Sequence, residues 1–310
     1  MRLRRKSRAQ SLSLFGGLAF LCCIAGVLLA GTSIVLAQPT DALSAQKKVS
    51  LVASIKEKAV GGSATAQLQL ASLYEQGFGV RQDYVQAAHW YRKAAEQGNA
   101  NAQDNLAALY EAGQGVKESF TEAAYWYRKA AVQGDANAQN SLANLYANGQ
   151  GFVQDYVQAA IWYGKAATQG LSSAQGTLGW YYEAGQGVPQ NYARAELWYR
   201  KAADQGNSTA QYNLGALYSN GHGASRSNVE AYFWLDIAAV TNEGKEPLAA
   251  RDIVAAKLSP AELSEAQERA AKWFVEHPPP PCIQVSDQTR ECYRTEQEME
   301  SVINSKKEKP

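Results

Sequence analysis

The sequence predicts an all-α protein, a right-handed α/α superhelical solenoid of five 36-residue helical hairpins with helical caps. Three observations predict it. Five of the seven tryptophans, Trp90, Trp126, Trp162, Trp198 and Trp234, stand 36 residues apart. Two glycine series keep that phase, Gly77, Gly113, Gly149, Gly185 and Gly221 with Gly79, Gly115, Gly151, Gly187 and Gly223. Ala-Ala pairs do the same at 94/95, 130/131, 166/167, 202/203 and 238/239. A fixed period of about 20–50 residues marks a stacked repeat. Such arrays mostly present a surface rather than a catalytic pocket.

The first element in chain order is an export segment. Arg2, Arg4, Arg5, Lys6 and Arg8 crowd the start, and no further charge occurs until Asp41. The apolar run between them extends from Ser11 to Ala37. A basic start, an apolar run and the small-residue site Val35-Leu36-Ala37 read as a secretory signal cleaved before Gln38. The run is also long enough to remain as an uncleaved membrane anchor. In both readings the basic end stays cytoplasmic and the rest is exported, periplasmic or secreted. Phe20-Leu21 precede Cys22 where a lipoprotein signal has small residues, so lipidation is not expected.

Without residues 1–37 the chain loses 5 of its 30 basic side chains and none of its 29 acidic ones, leaving a net charge of −4. That argues against nucleic-acid binding, which needs a concentrated basic face. Of the four cysteines, Cys22 and Cys23 lie in the export segment. Cys282 and Cys292 are left as an even pair in an exported chain, which suggests one disulfide across a short C-terminal loop. Two free thiols in a flexible tail are the other reading.

Residues 101–136, NAQDNLAALYEAGQGVKESFTEAAYWYRKAAVQGDA, show how each hairpin forms. Ala102, Leu106, Leu109 and Tyr110 recur at helical spacing and mark one apolar face. Gly113 stops that helix, Gln114-Gly115-Val116 turns the chain, and Ser119 caps a second helix. Glu122 three residues on completes a capping box. Asp83/Gln86, Asp155/Gln158 and Ser227/Glu230 repeat the pair, whereas Asn191 is followed by Arg194 and can only cap. The second helix sets Ala123, Trp126, Tyr127, Ala130 and Ala131 on one broad apolar face. Paired alanines let helices approach and the aromatics fill the space beside them. Gly134 ends the helix, and Asp135 caps the next one, as Asn99 and Asn207 do.

The pattern A-x-x-x-LA-x-LY-x-x-G-x-GV followed by AA-x-WYRKAA-x-QG resembles the Sel-like (Sel-one-like) repeat family, relatives of tetratricopeptide arrays. The resemblance covers five units, residues 64–240. The last unit departs with AYFWLDIAA, which resembles a closing repeat. Upstream, SIKEKAVGGSATAQ aligns with WYRKAAEQGNANAQ, so residues 38–63 are read as a linker and a half-repeat cap. Downstream, residues 241–277 are read as a C-terminal helical cap. Its last helix starts at the capping box Ser259-Pro260-Ala261-Glu262 and runs to about Val275. Pro278–Pro281 ends it, and residues 278–310 are read as a Pro-rich, loop-like and flexible tail.

No catalytic constellation is present. His89, His222 and His277 lack metal-ligand spacing with each other or with the cysteines. His89 occupies a variable helix position, and His222 a solvated turn. The G-x-G-V turns lack the Gly-Lys-Ser/Thr ending and the preceding strand of a phosphate loop. No metal or cofactor is expected. The Arg-Lys pairs at 92/93, 128/129 and 200/201 read as a solvated outer face that favours the helix dipole.

Positions that break the period carry the functional expectation. By analogy with tetratricopeptide arrays, a non-core face of the first helices lines a concave surface. It holds Asp104, Asn140, Asn144, Asn148, Trp180, Glu183, Tyr212 and Asn220. Trp180 stands where Ser72, Ala108, Asn144 and Ala216 stand in other units. Tyr212 stands where Leu68, Asp104, Asn140 and Gly176 do. Large aromatics at non-core phase read as interface anchors. The competing reading is that Trp180 fills a gap beside Gly176 and Gly179.

The leading expectation is a non-enzymatic adaptor in the cell envelope that holds a protein partner, or an extended peptide or glycan. The resemblance implies scaffold and regulatory roles. One alternative is a cell-wall or β-lactam-directed hydrolase. Cysteine-rich relatives suggest it, but their cysteine pair in each repeat is missing here. Another is regulation of a membrane sensor through its outer domain.

Overall fold

The computed structural model describes residues 39–222, 226–241, 245–277, 282–286 and 289–292. Residues 1–37, read above as an expected export segment, lie outside them. Two compact units divide between Leu43 and Ser44, and of the first only residues 39–43 are described, as helix. Among the described residues no helix is long and apolar enough to cross a membrane.

The described residues between 44 and 277 form a solenoid of paired helices. The opening helix α1 (Pro39–Val60) precedes five hairpins. Their first helices are α2 (Ala64–Gln76), α4 (Ala100–Ala112), α6 (Ala136–Asn148), α8 (Ser172–Ala184) and α10 (Ser208–Asn220). Their second helices are α3 (Tyr84–Glu96), α5 (Phe120–Val132), α7 (Tyr156–Thr168), α9 (Tyr192–Ala203) and α11 (Asn228–Thr241). The helices α12 (Lys245–Ala255) and α13 (Pro260–Glu276) close the stack against α11. From α2 to α12 each helix packs on its neighbours in sequence.

The two glycines of each turn have different tasks. Gly113 ends α4 at φ 66° and its N–H reaches the Leu109 carbonyl, the left-handed cap expected of it. Gly115 answers to packing. A Cβ there would lie 2.1 Å from the carbonyl oxygen of Tyr84 in the preceding hairpin. At Gly151 and Gly187 the corresponding distances, to the carbonyl oxygens of Phe120 and Tyr156, are 2.5 and 2.1 Å. The second glycine thus lets one hairpin's turn press on the backbone of the one before.

The expected capping boxes form by half. Ser119 accepts from the Glu122 amide, and Asp83, Asp155 and Asn191 accept in the same way. The cap's own N–H donates to a tyrosine carbonyl at the end of the previous helix. The pairs are Asp83 with Tyr74, Ser119 with Tyr110 and Asp155 with Tyr146. Tertiary backbone takes the place of the N3 side chain. Only at Ser259 and Glu262 are both halves of the box present among the described residues.

Core packing follows the sequence pattern: Leu70, Leu106, Leu142 and Leu214, Tyr91 and Tyr199, and the alanine pairs from 94/95 to 202/203 are buried. The buried polar residues among the described ones are Gln67, Gln103, Gln139, Gln175 and Gln211. Each donates from Nε2 to the second-helix carbonyl eight residues earlier, Ala59, Ala95, Ala131, Ala167 and Ala203, at 2.9–3.1 Å. Each accepts at Oε1 from a residue 30 positions later, Gln97, Gln133, Gln169, Gln205 and finally Thr241. This glutamine ladder satisfies carbonyls at the ends of the second helices and ties three successive helices together. Ala59 in α1 plays the part that Ala95 plays in α3.

The tail departs from expectation. Residues 282–286 and 289–292 form an antiparallel hairpin, β1 (Cys282–Ser286) with β2 (Thr289–Cys292), rather than loop. Its backbone register places Cys282 opposite Cys292. The side chains of that pair, and hence the disulfide, lie outside the described ones.

Candidate functional site

The exposed face of the first helices carries the eight residues singled out in the sequence. Asp104, Asn140 and Tyr212 share one stripe, one per helix, with Leu68 and Gly176. Asn144 and Trp180 occupy the stripe one turn on, and Glu183, Asn148 and Asn220 lie near the helix ends.

Internal bonds engage part of this set. Glu183 accepts from the Tyr199 hydroxyl at 2.7 Å. Tyr91 and Tyr127 make the same bond to Glu75 and Glu111. The third hairpin has Ala147 at that position, and Tyr163 donates to Asn144 instead. Glu183 and Asn144 are therefore held by their own array. Burial, reinforced by the neighbouring carboxylates of Glu75, Glu111 and Glu183, raises the Tyr91, Tyr127 and Tyr199 hydroxyls far above their ordinary range. They serve as donors and stay protonated. Tyr212 is half-buried and packs on the core of the last hairpins. Asn148 donates to Gln150 at 3.3 Å, and Asn220 is exposed at the end of α10. Asn140 is half-buried.

Two residues stand apart. Trp180 is 44% exposed, against 8% for Trp90 and 5% for Trp126 in the ladder. The space beside Gly179 is occupied by the Tyr199 ring, 2.7 Å from where a Cβ would be, and that beside Gly176 by Asn207 and Ala210. The Trp180 side chain is not among the nearest neighbours of the Gly176 position. Asp104 lines a cleft of about 660 Å³ with Leu51, Ile55, Leu68, Ser72 and Asn105. Its Oδ1 is closed to solvent and has no hydrogen-bond partner. Burial, then the charges of Asp135 and Glu111, push its carboxyl up to about 7.

The second helices are more engaged than a solvated outer face. Arg92, Arg128 and Arg200 donate to the hydroxyls of Tyr110, Tyr146 and Tyr218 in the next first helix. Lys93, Lys129, Lys165 and Lys201 lie over the rings of Trp90, Trp126, Trp162 and Trp198 at 3.7–5.1 Å. These cation–π contacts shield the exposed edge of the ladder. The identical 36-residue phase of Gln, Tyr and Arg was the available signal for these links. The histidines are exposed and stack on aromatics: His222 on Tyr192 at 4.6 Å, His277 on Trp273 at 4.4 Å, and His89 edge-on to Trp90. Among the described residues no group of three His, Cys, Asp or Glu could hold a metal ion.

This architecture is matched by a known family. The Sel1 repeat model fits residues 64–99, 100–135, 136–171, 172–207 and 208–239, more than half of the chain. The chain belongs to the Sel1 repeat family. It is similar to a Sel1 repeat protein of Oxalobacter formigenes, with 31% identity over 68% of this chain and 88% of that one, and a TM-score of 0.57. It is also similar to c5321 of uropathogenic Escherichia coli, described as a protective antigen with an SLR fold. The identity there is 27%, over 83% of this chain but only 64% of the length of that one, with a TM-score of 0.57. No curated protein matches the chain. Sel1 repeats typically form protein–protein interaction scaffolds, and the Sel1 fold is generally non-enzymatic.

Proposed function

We propose that this Sel1 array is a non-catalytic adaptor of the cell envelope, exported by its N-terminal segment, that holds a protein partner on the exposed face of its first helices. The observation that carries the proposal is Trp180. It is a large aromatic side chain, 44% exposed, in a fold whose other repeat positions at that phase are small. Trp is the residue type that most often dominates a protein–protein interface when truncated. The Tyr199 ring lies beside Gly179, which supports an interface role for Trp180 over gap-filling. Asp104, Asn140, Asn148 and Asn220 offer polar contacts on the same face, which suits an extended peptide or a glycan-bearing segment as well as a folded surface. Export rests on the basic start and apolar run of residues 1–37.

The test is capture from envelope extracts by the chain and by Trp180→Ala. The expected result is a partner retained by the wild type and lost by the variant, with the thermal unfolding midpoint unchanged within about 2 °C. Equal losses of binding and of thermal stability would sink the proposal. So would turnover of a cell-wall or β-lactam substrate by the purified chain.

A further inference from the structure

We propose, building on this adaptor reading, that the cleft walled by Leu51, Ile55, Leu68 and Asp104 is a socket for a basic side chain of the partner. The aliphatic stem of a lysine or arginine would lie on the leucine–isoleucine wall, and its cationic head would pair with the Asp104 carboxylate.

Stacking does not demand a carboxylate at this position. The equivalent residue is Leu68 one repeat earlier and Asn140 one repeat later. Asp104 therefore breaks the period without a packing reason, and it does so inside a cleft of about 660 Å³. Its Oδ1 is buried with no donor. Among the described residues no cation pairs with it; the ion pairs there join Arg200 to Glu196, Arg251 to Asp236 and Asp252, and Arg269 to Glu230. An unpaired carboxylate in such surroundings is costly, so Asp104 alone holds its proton up to near neutrality, and a cation from outside would satisfy the ionised form.

The remaining charges nearby share its sign. Asp135 caps α6 by accepting from the Ala138 amide, and Glu111 accepts from the Tyr127 hydroxyl. Tyr127 on α5 faces the same carboxylate as a protonated phenol. From α1 and α2 the lining is Leu51, Ile55, Leu68, Gln69, Ser72 and Leu73, with no titratable group among the described residues. The field in the cleft is negative and its far wall is apolar. A bare hydrated cation gains nothing from that wall. A long basic side chain has both parts, an apolar stem and a charged head. Its arrival would also let Asp104 ionise, so binding releases a proton near neutrality.

The test titrates n-hexylammonium, n-hexanol and hexanoate into the full chain and follows the methyl resonances of Leu51, Ile55 and Leu68 at pH 8 and pH 6. Hexylammonium should bind saturably at pH 8 and about tenfold more weakly at pH 6, because a carboxyl titrating at about 7 is mostly protonated there. Hexanol should bind at least about tenfold more weakly than hexylammonium at pH 8, with no pH dependence. Asp104→Asn, and Asp104→Leu as a second variant that copies Leu68, should bind hexylammonium no better than hexanol. Undiminished hexylammonium affinity in both variants, or hexanoate binding as well as the ammonium, overturns the socket. Trp180→Ala should leave hexylammonium binding unchanged. Failure of the socket while Trp180-dependent capture persists leaves the adaptor reading standing, and the converse result removes the adaptor reading alone.

Discussion

The first two hairpins and the third share a period but are joined differently. In the first two, Tyr91 and Tyr127 reach Glu75 and Glu111, and Arg92 and Arg128 reach across to Tyr110 and Tyr146. Asn99 and Asp135 cap the following helices. In the third, Ala147 replaces the glutamate, Gly164 replaces the arginine and Leu171 leaves α8 without a side-chain cap. Substitutes appear: Tyr163 turns to Asn144, and Tyr182 receives Arg194 at 3.2 Å. The consequence is geometric. Trp90 and Trp126 are buried, whereas Trp162 and Trp198 are half-buried. A cleft of about 590 Å³ opens where the arginine would lie, lined by Ile161, Gly164, Lys165, Tyr182, Val188 and Trp198. One continuous buried core runs from Ala59 to Leu145, and α7 and α8 form a separate one. Repeats stay alike where one helix must reach another, and they open surface where that reach is given up.

The sharpest way to break this comparison is at its glycines. Gly115→Ala forces a Cβ against the Tyr84 carbonyl and should cost about 3 kcal/mol or more in urea unfolding, or prevent folding. A tolerated Gly115→Ala would show that the hairpins do not press together as described. Next comes Gln139→Leu, which removes the buried Nε2 donor to the Ala131 carbonyl and the Oε1 acceptor of Gln169. A loss of about 2 kcal/mol is expected by the same measurement.

Asp104→Asn should act in the other direction. The folded carboxyl titrates above its unfolded value, so the native state holds the extra proton between about pH 4 and 7, and stability falls as pH rises through that window. The variant should therefore unfold a few degrees higher than wild type at pH 8 and no higher near pH 4, by scanning calorimetry. The smallest effect belongs to Gly164. A Cβ there meets nothing within 4 Å, so Gly164→Ala should gain about 0.5–1 kcal/mol from helix propensity. Gly164→Arg should in addition reduce acrylamide quenching of tryptophan emission by covering Trp198.

The five hairpins, their turns and their helix ends were legible because each is a local device repeated five times. Gly113 and Ser119 announce themselves within a few residues of where they act. The half-formed capping boxes were not legible, since the partner of each cap amide is a carbonyl supplied by the neighbouring helix. The glutamines were visible as a period but not as a ladder. Their acceptor lies eight residues back and their donor thirty residues on, distances that only the stack brings together. The Arg-Lys pairs misled for a similar reason. On an isolated helix they face water, and in the array they span to the next tyrosine and lie on the tryptophan beside them. The strand pairing of residues 282–292 was hidden because the strands are only five and four residues long, so the alternation of Ile283 and Val285 with Gln284 and Ser286 is too short to stand out in a polar tail.

For the candidate site, the sequence located the face and the structure sorted its members. Glu183 and Asn144 turned out to be held by Tyr199 and Tyr163, while Trp180 and Asp104 were left without such ties. Spacing alone determines which residues share a helix face, because the helical period is a property of the backbone. Whether a side chain on that face is spent on a neighbour or left for a partner depends on distances between helices, and those exist only once the hairpins have stacked.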